Sequence, residues 1–106
     1  MQKLTHNFTD ISLVGRHLRG RDLSGACLRG VDLSASDLTD SNLFGANLRE
    51  ANLDRATLVR ADLRGATLRG ATLSGADLSY ADLRNGELYK FSDGKLGKRC
   101  CSTVVP

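Results

Sequence analysis

A chain of 106 residues, 41% hydrophobic and 25% charged, has room for one domain, and its formal net charge of +3 argues against a strongly acidic surface. With three Phe, two Tyr and no Trp, its core cannot be aromatic and must use a smaller residue many times over. No stretch approaches the ~20 apolar residues of a membrane helix, and the start MQKLTHNFTD lacks the basic-then-apolar layout of a secretory signal, so the expected setting is the cytoplasm with no membrane partner.

After a lead-in over residues 1–5, a period of five takes over. Phe8 opens the register, and Leu then fills every fifth position from Leu13 to Leu88, sixteen in succession. The expected structural core is Leu23, Leu28, Leu33, Leu38, Leu43, Leu48, Leu53, Leu58, Leu63, Leu68, Leu73, Leu78, Leu83 and Leu88. Two residues before each Leu the sequence settles on Ala, as in Ala26, Ala46, Ala51 and Ala56. The residue between is small and polar, as in Asp32, Asn42, Asn52 and Thr57, and the second residue after Leu is often Gly, as in Gly15, Gly20, Gly25 and Gly65.

Five fits neither a helical stripe at 3.6 residues nor a long alternating strand at 2.0. It fits a short extended piece followed by a turn: Ala and Leu, two apart, face inward, and the polar residue between them faces out. Glycine at the turn enters left-handed conformations without steric cost. Repeated turning with the apolar pair always inside winds the chain into a stacked coil.

Units such as ADLRG at 61–65, ATLRG at 66–70 and ADLSY at 76–80 resemble those of the pentapeptide repeat family over about residues 6–90. The resemblance implies an all-β fold, a right-handed quadrilateral β-helix (pentapeptide repeat solenoid) of about four coils. Four units would make each coil, so residues twenty apart would share a face. It further implies a bacterial, non-enzymatic repeat scaffold for protein–protein interaction, with a homodimer through the C-terminal end as a further expectation.

Along the chain, the first coil departs from the pattern. Its inward small positions hold His6, Ile11, Arg16 and Arg21. Unpaired interior charge is too costly, so either this coil is irregular and lets the arginines reach water, or it is a polar cap; the cap is the preferred reading. Val31, Ser36 and Ser41 depart more mildly, and residues 46–83 are fully regular. Gly86 replaces Ala, the register ends after Leu88, and residues 91–106 are expected to form a C-terminal cap and flexible tail, with Tyr89, Phe91 and Leu96 available to cover the coil end.

His17, Asp22 and Cys27 are the residue types of a nucleophilic triad. Five apart on a square coil, they occupy three different faces, so no catalytic site is expected. His17 would share a face with Asp37. Asp62 and Asp82 would also be neighbours, able to share a proton or hold a cation, but Arg64 and Arg84 on the same face favour salt bridges. Cys27, Cys100 and Cys101 lack zinc or redox spacing, and no metal site or cofactor is expected. CCSTVVP does not match a prenylation motif.

Arg29, Arg49 and Arg69 each follow Leu in every fourth unit and should form a column, with Arg64 and Arg84 on the neighbouring face; Phe44 is placed to stack under Arg64. This is the candidate interaction strip, for a protein partner whose identity the sequence does not give. Glu50 beside Arg49 offsets part of its charge, and no aromatic residues interleave for base stacking, so nucleic acid or another polyanion is a lesser alternative. The family's best-known role is DNA mimicry toward gyrase and other type II topoisomerases. It demands a long acidic rod, and the basic balance and short length here disfavour it.

Overall fold

The computed structural model describes residues 11–86 of the chain. Fifteen five-residue units run through them, every one built alike. The residue before Leu forms a parallel bridge with the residue twenty positions on, from Ser12 with Asp32 to Asp62 with Asp82, eleven bridges in all among the described residues. Twenty residues therefore make one coil, and four units make its four sides. Side one contains 11–15, 31–35, 51–55 and 71–75. Side two contains 16–20, 36–40, 56–60 and 76–80, side three 21–25, 41–45, 61–65 and 81–85, and side four 26–30, 46–50 and 66–70.

Two kinds of backbone hydrogen bond hold this arrangement. Within a unit the turn closes on itself, as Ala26 N–H donates to the Leu23 carbonyl at 3.1 Å. Between coils Leu23 N–H donates to the Asn42 carbonyl at 2.7 Å, Gly25 N–H to Phe44 at 2.8 Å, and Asn42 N–H back to Arg21 at 2.8 Å. Stacked coils of this kind lie ~4.8 Å apart.

At the corner the third turn residue always has positive φ, as a type II turn requires. Glycine supplies it at eight corners. Ala35, Asp40, Glu50, Arg55, Arg60, Tyr80 and Asn85 adopt the same conformation at the other seven, with φ between 58° and 62°. The stacked neighbours impose the turn even where the residue disfavours it, so tertiary structure overrides local preference.

Leu23 through Leu83 are at most 2% exposed, and Leu13 and Leu18 pack half-buried against them. Leu88 lies outside the described residues. The inward small positions form four columns. Side one reads Ile11, Val31, Ala51, Ala71; side two Arg16, Ser36, Ala56, Ala76; side three Arg21, Ser41, Ala61, Ala81. Side four keeps alanine at 26, 46 and 66, whereas on the other three sides alanine gives way to bulkier or more polar residues toward residue 11. Ser36 Oγ donates to the Leu33 carbonyl at 2.7 Å. Ser41 Oγ, also buried, has no hydrogen-bond partner, alone among the described buried side-chain polar atoms.

Arg16 and Arg21 are exposed, yet their carbonyls accept from Asp37 and Asn42 N–H at 2.9 and 2.8 Å. From residue 11 onward the expected irregular first coil is therefore corrected: its main chain is regular. Only the side chains depart, because this coil has no described coil above it and its inward positions open to water. His6, the boundaries at 5, 6, 90 and 91, and the expected C-terminal cap, tail and dimer contact lie outside the described residues.

Candidate functional site

The outward residue before each Leu has a specific task. Where it is Asp or Asn, its side-chain oxygen accepts the N–H of the residue after Leu: Ser24 to Asp22 at 3.1 Å, Phe44 to Asn42 at 3.0 Å, Arg49 to Asn47 at 3.1 Å, Arg64 to Asp62 at 3.1 Å. This Asx turn satisfies a backbone donor that the ladder leaves over. Thr67 and Thr72 stand at the same position and instead donate Oγ1 to Asn47 and Asn52 of the coil before, at 3.3 and 3.1 Å.

The residue after Leu then follows its neighbour's chemistry. Beside an aspartate, a hydroxyl donates to it, as Ser34 does to Asp32 at 2.7 Å and Thr39 to Asp37 at 2.6 Å. These bonds are the largest cause holding both carboxyls below the usual carboxylate range. An arginine beside an aspartate forks onto it. Arg64 places Nε and Nη2 at 2.9 and 2.8 Å from Asp62, and Arg84 places Nη2 2.7 Å from Asp82.

Side three is consequently a matched cluster. Arg64 Nε also lies 4.0 Å from Asp82, and its guanidinium carbon is 5.2 Å from the centre of the Phe44 ring. The Arg64 and Arg84 hydrogen bonds hold Asp62 and Asp82 low, outweighing burial and, for Asp62, the charge of Asp82. Both carboxylates are ionised at neutral pH, so the pair shares no proton. At the next corner Arg60 forks onto Asp40 of the coil before at 2.8 and 3.1 Å, and this bond holds Asp40 low too.

Side four differs. Arg29, Arg49 and Arg69 occupy the same position in three successive coils, and none has an aspartate before its Leu; those residues are Cys27, Asn47 and Thr67. Arg29 Nε reaches Glu50 Oε1 at 3.3 Å. Arg49 is half-buried, and Arg69 is exposed with no ion-pair partner among the described residues. Counting outward residues, side four has three arginines against one glutamate. Side one has one acid in excess, Asp32 and Asp54 against Arg55; sides two and three each set three aspartates against two outward arginines, and the exposed Arg16 and Arg21 bring both to balance. The structure thus places Arg64 and Arg84 apart from the other three, in a charge-matched setting.

His17, Asp22 and Cys27 lie on sides two, three and four and are not brought together. Asp37, bridged to His17 through the backbone, has its carboxylate on Thr39, with Arg19 at 3.9 Å and the His17 charge a lesser influence. Among the described residues no group of three His, Cys, Asp or Glu is placed to hold a metal, and no helix is long and apolar enough to cross a membrane.

The family described as Pentapeptide repeats matches this chain in 8 copies, over residues 7–40, 41–79 and 51–88. No curated protein sequence matches significantly. Among solved structures, HetL of the cyanobacterium Nostoc sp. strain PCC 7120, a pentapeptide repeat protein involved in heterocyst differentiation regulation, is 37% identical with a TM-score of 0.78. The match covers 82% of this chain and 38% of HetL, so the chain spans well under half that protein's length. The pentapeptide repeat protein alr5209 of the same organism is 36% identical over 92% of this chain and 84% of its own, with a TM-score of 0.58. QnrB1, a plasmid-mediated fluoroquinolone resistance protein, is 22% identical over 90% of this chain and 56% of its own, with a TM-score of 0.52, a likeness of fold alone. These relatives give the coil its hand: it is a right-handed quadrilateral β-helix.

Proposed function

We propose that this chain, which belongs to the pentapeptide repeat family, is a non-enzymatic scaffold that binds a protein partner through side four, in a bacterial cytoplasm. The observation that carries the reading is the charge difference between sides: Arg29, Arg49 and Arg69 stack in register on one side with Glu50 as its one acid, whereas acids match or outnumber arginines on the others, where Asp40, Asp62 and Asp82 hold Arg60, Arg64 and Arg84. The ladder sets the backbone positions of these arginines at regular intervals, which favours recognition over nonspecific attraction. The same residues weigh against mimicry of DNA, since basic and acidic side chains nearly balance over the described surface.

Affinity capture from bacterial lysate tests it, with the wild type, an Arg49→Glu/Arg69→Glu double variant and an Arg60→Glu control. A protein retained by wild type and control but lost from the double variant is the expected result. Equal recovery by all three would sink the assignment of side four.

A further inference from the structure

At the corner between sides four and one, residues 30, 50 and 70 stack in successive coils with φ of 70°, 62° and 77°. Glycine occupies the first and third, so among the described coils Glu50 is the one residue with a side chain at this corner, held in a left-handed conformation that such residues rarely adopt. Its side chain runs over Gly70, where an added Cβ would come within 3.2 Å of Glu50 Cγ. From there Oε1 reaches Arg29 of the preceding coil. The two side chains are 57% and 63% exposed, so an outside carboxylate can replace this contact at little cost.

We propose that the Arg29, Arg49 and Arg69 column reads carboxylates, that Glu50 is its resident occupant, and that the partner it accepts is an acidic helix. The inference rests on the assignment of side four to protein binding and names the partner's chemistry. Coil spacing selects the helix. Three coils place the first and last arginines ~9.6 Å apart along the rod. Two helical turns advance ~10.8 Å, within the reach of arginine side chains. Two same-face steps of an extended strand advance ~13 Å, and its carboxylates run out of register. Glutamates at i, i+4 and i+7 would therefore meet all three arginines, the first displacing Glu50 from Arg29.

The test is binding of a fluorescein-labelled, alanine-based helical peptide with glutamates at i, i+4 and i+7, read by anisotropy. Comparators are a peptide of equal composition with glutamates spread around the helix and a short DNA duplex. Wild type is expected to favour the one-faced peptide over both. Glu50→Gln should tighten binding by about two- to fivefold, the release of one exposed ion pair. Arg69→Glu should weaken it at least tenfold, and Arg29→Gln should cost more in the Glu50→Gln background than in wild type. Equal binding of the spread peptide, tighter binding of DNA, or unchanged or weaker binding by Glu50→Gln would each overturn the proposal. If lysate capture still depends on Arg49 and Arg69 while no peptide binds, only this inference falls; if both fail, so does the protein-binding role.

Discussion

Replacing alanine by glycine ordinarily destabilises a protein, but Ala35→Gly should stabilise this one. Ala35 is exposed at a corner with φ of 58°, a region that costs a residue bearing Cβ about 1–2 kcal/mol. Glycine removes that cost and adds a backbone entropy penalty of about 0.5–1 kcal/mol. The difference is a gain of about 0.5–1 kcal/mol, or a rise in Tm of roughly 2–8 °C for a domain of this size. Gly45→Ala is the mirror experiment. Its φ is 68° and an added Cβ would meet nothing within 4 Å, so the loss is conformational alone and of the same size. Gly70→Ala should lose more, because its Cβ would press on Glu50. Thermal and urea unfolding followed by circular dichroism measure all three. A destabilised Ala35→Gly, or a neutral Gly45→Ala, would refute the claim that stacking forces these corners against residue preference.

Ser41→Ala should raise stability by about 1–2 kcal/mol in urea unfolding, since it removes a buried hydroxyl with no partner and restores the alanine used in the coils below. Leu58→Ala, at a fully buried position, should cost about 2–5 kcal/mol by the same assay, and a loss below 1 kcal/mol would mean that the coils collapse onto the gap. Asp62 and Asp82 have lowered folded-state pKa values, so the stability they contribute is complete above about pH 4 and is lost as pH falls through those lower values. The double variant Asp62→Asn/Asp82→Asn keeps the turn-closing oxygen, and its Tm should be lower at pH 7 but fall less between pH 5 and pH 2.

The uninterrupted leucines made the coil readable because one inward position was used without exception. The placement of Arg29, Arg49 and Arg69 on one side and of Phe44 under Arg64 followed from counting residues twenty apart. Other features were present in the sequence but harder to read. Asp or Asn before Leu looked merely small and polar, although its side-chain oxygen accepts the N–H two positions on, as Asp22 does from Ser24. The corners at Ala35, Arg55 and Tyr80 gave no local signal of positive φ, because neighbouring coils impose it. Glu50 was read as a charge offsetting Arg49, yet its contact is with Arg29, twenty-one residues back, since corner and side residues meet diagonally across coils. Arg16 and Arg21 pointed to a polar cap, or else to a distorted coil; the main chain there is regular, because charge at an inward position is costly only when something is stacked over it.

The twenty-residue bridge register also makes the rod a converter of sequence length into angle. Between Ala46 and Ala81 the inward columns are all alanine, so an added block of four units would find the same surfaces above and below. It would lengthen the rod by ~4.8 Å and leave every side chain facing as before. A block of one unit would fit the core equally well but turn everything after it by a quarter revolution. Inserted between residues 50 and 51, it would carry Arg69 away from the side that Arg29 and Arg49 share and bring it round toward the next. Recognition could then be lost with the core, the turns and the composition all intact.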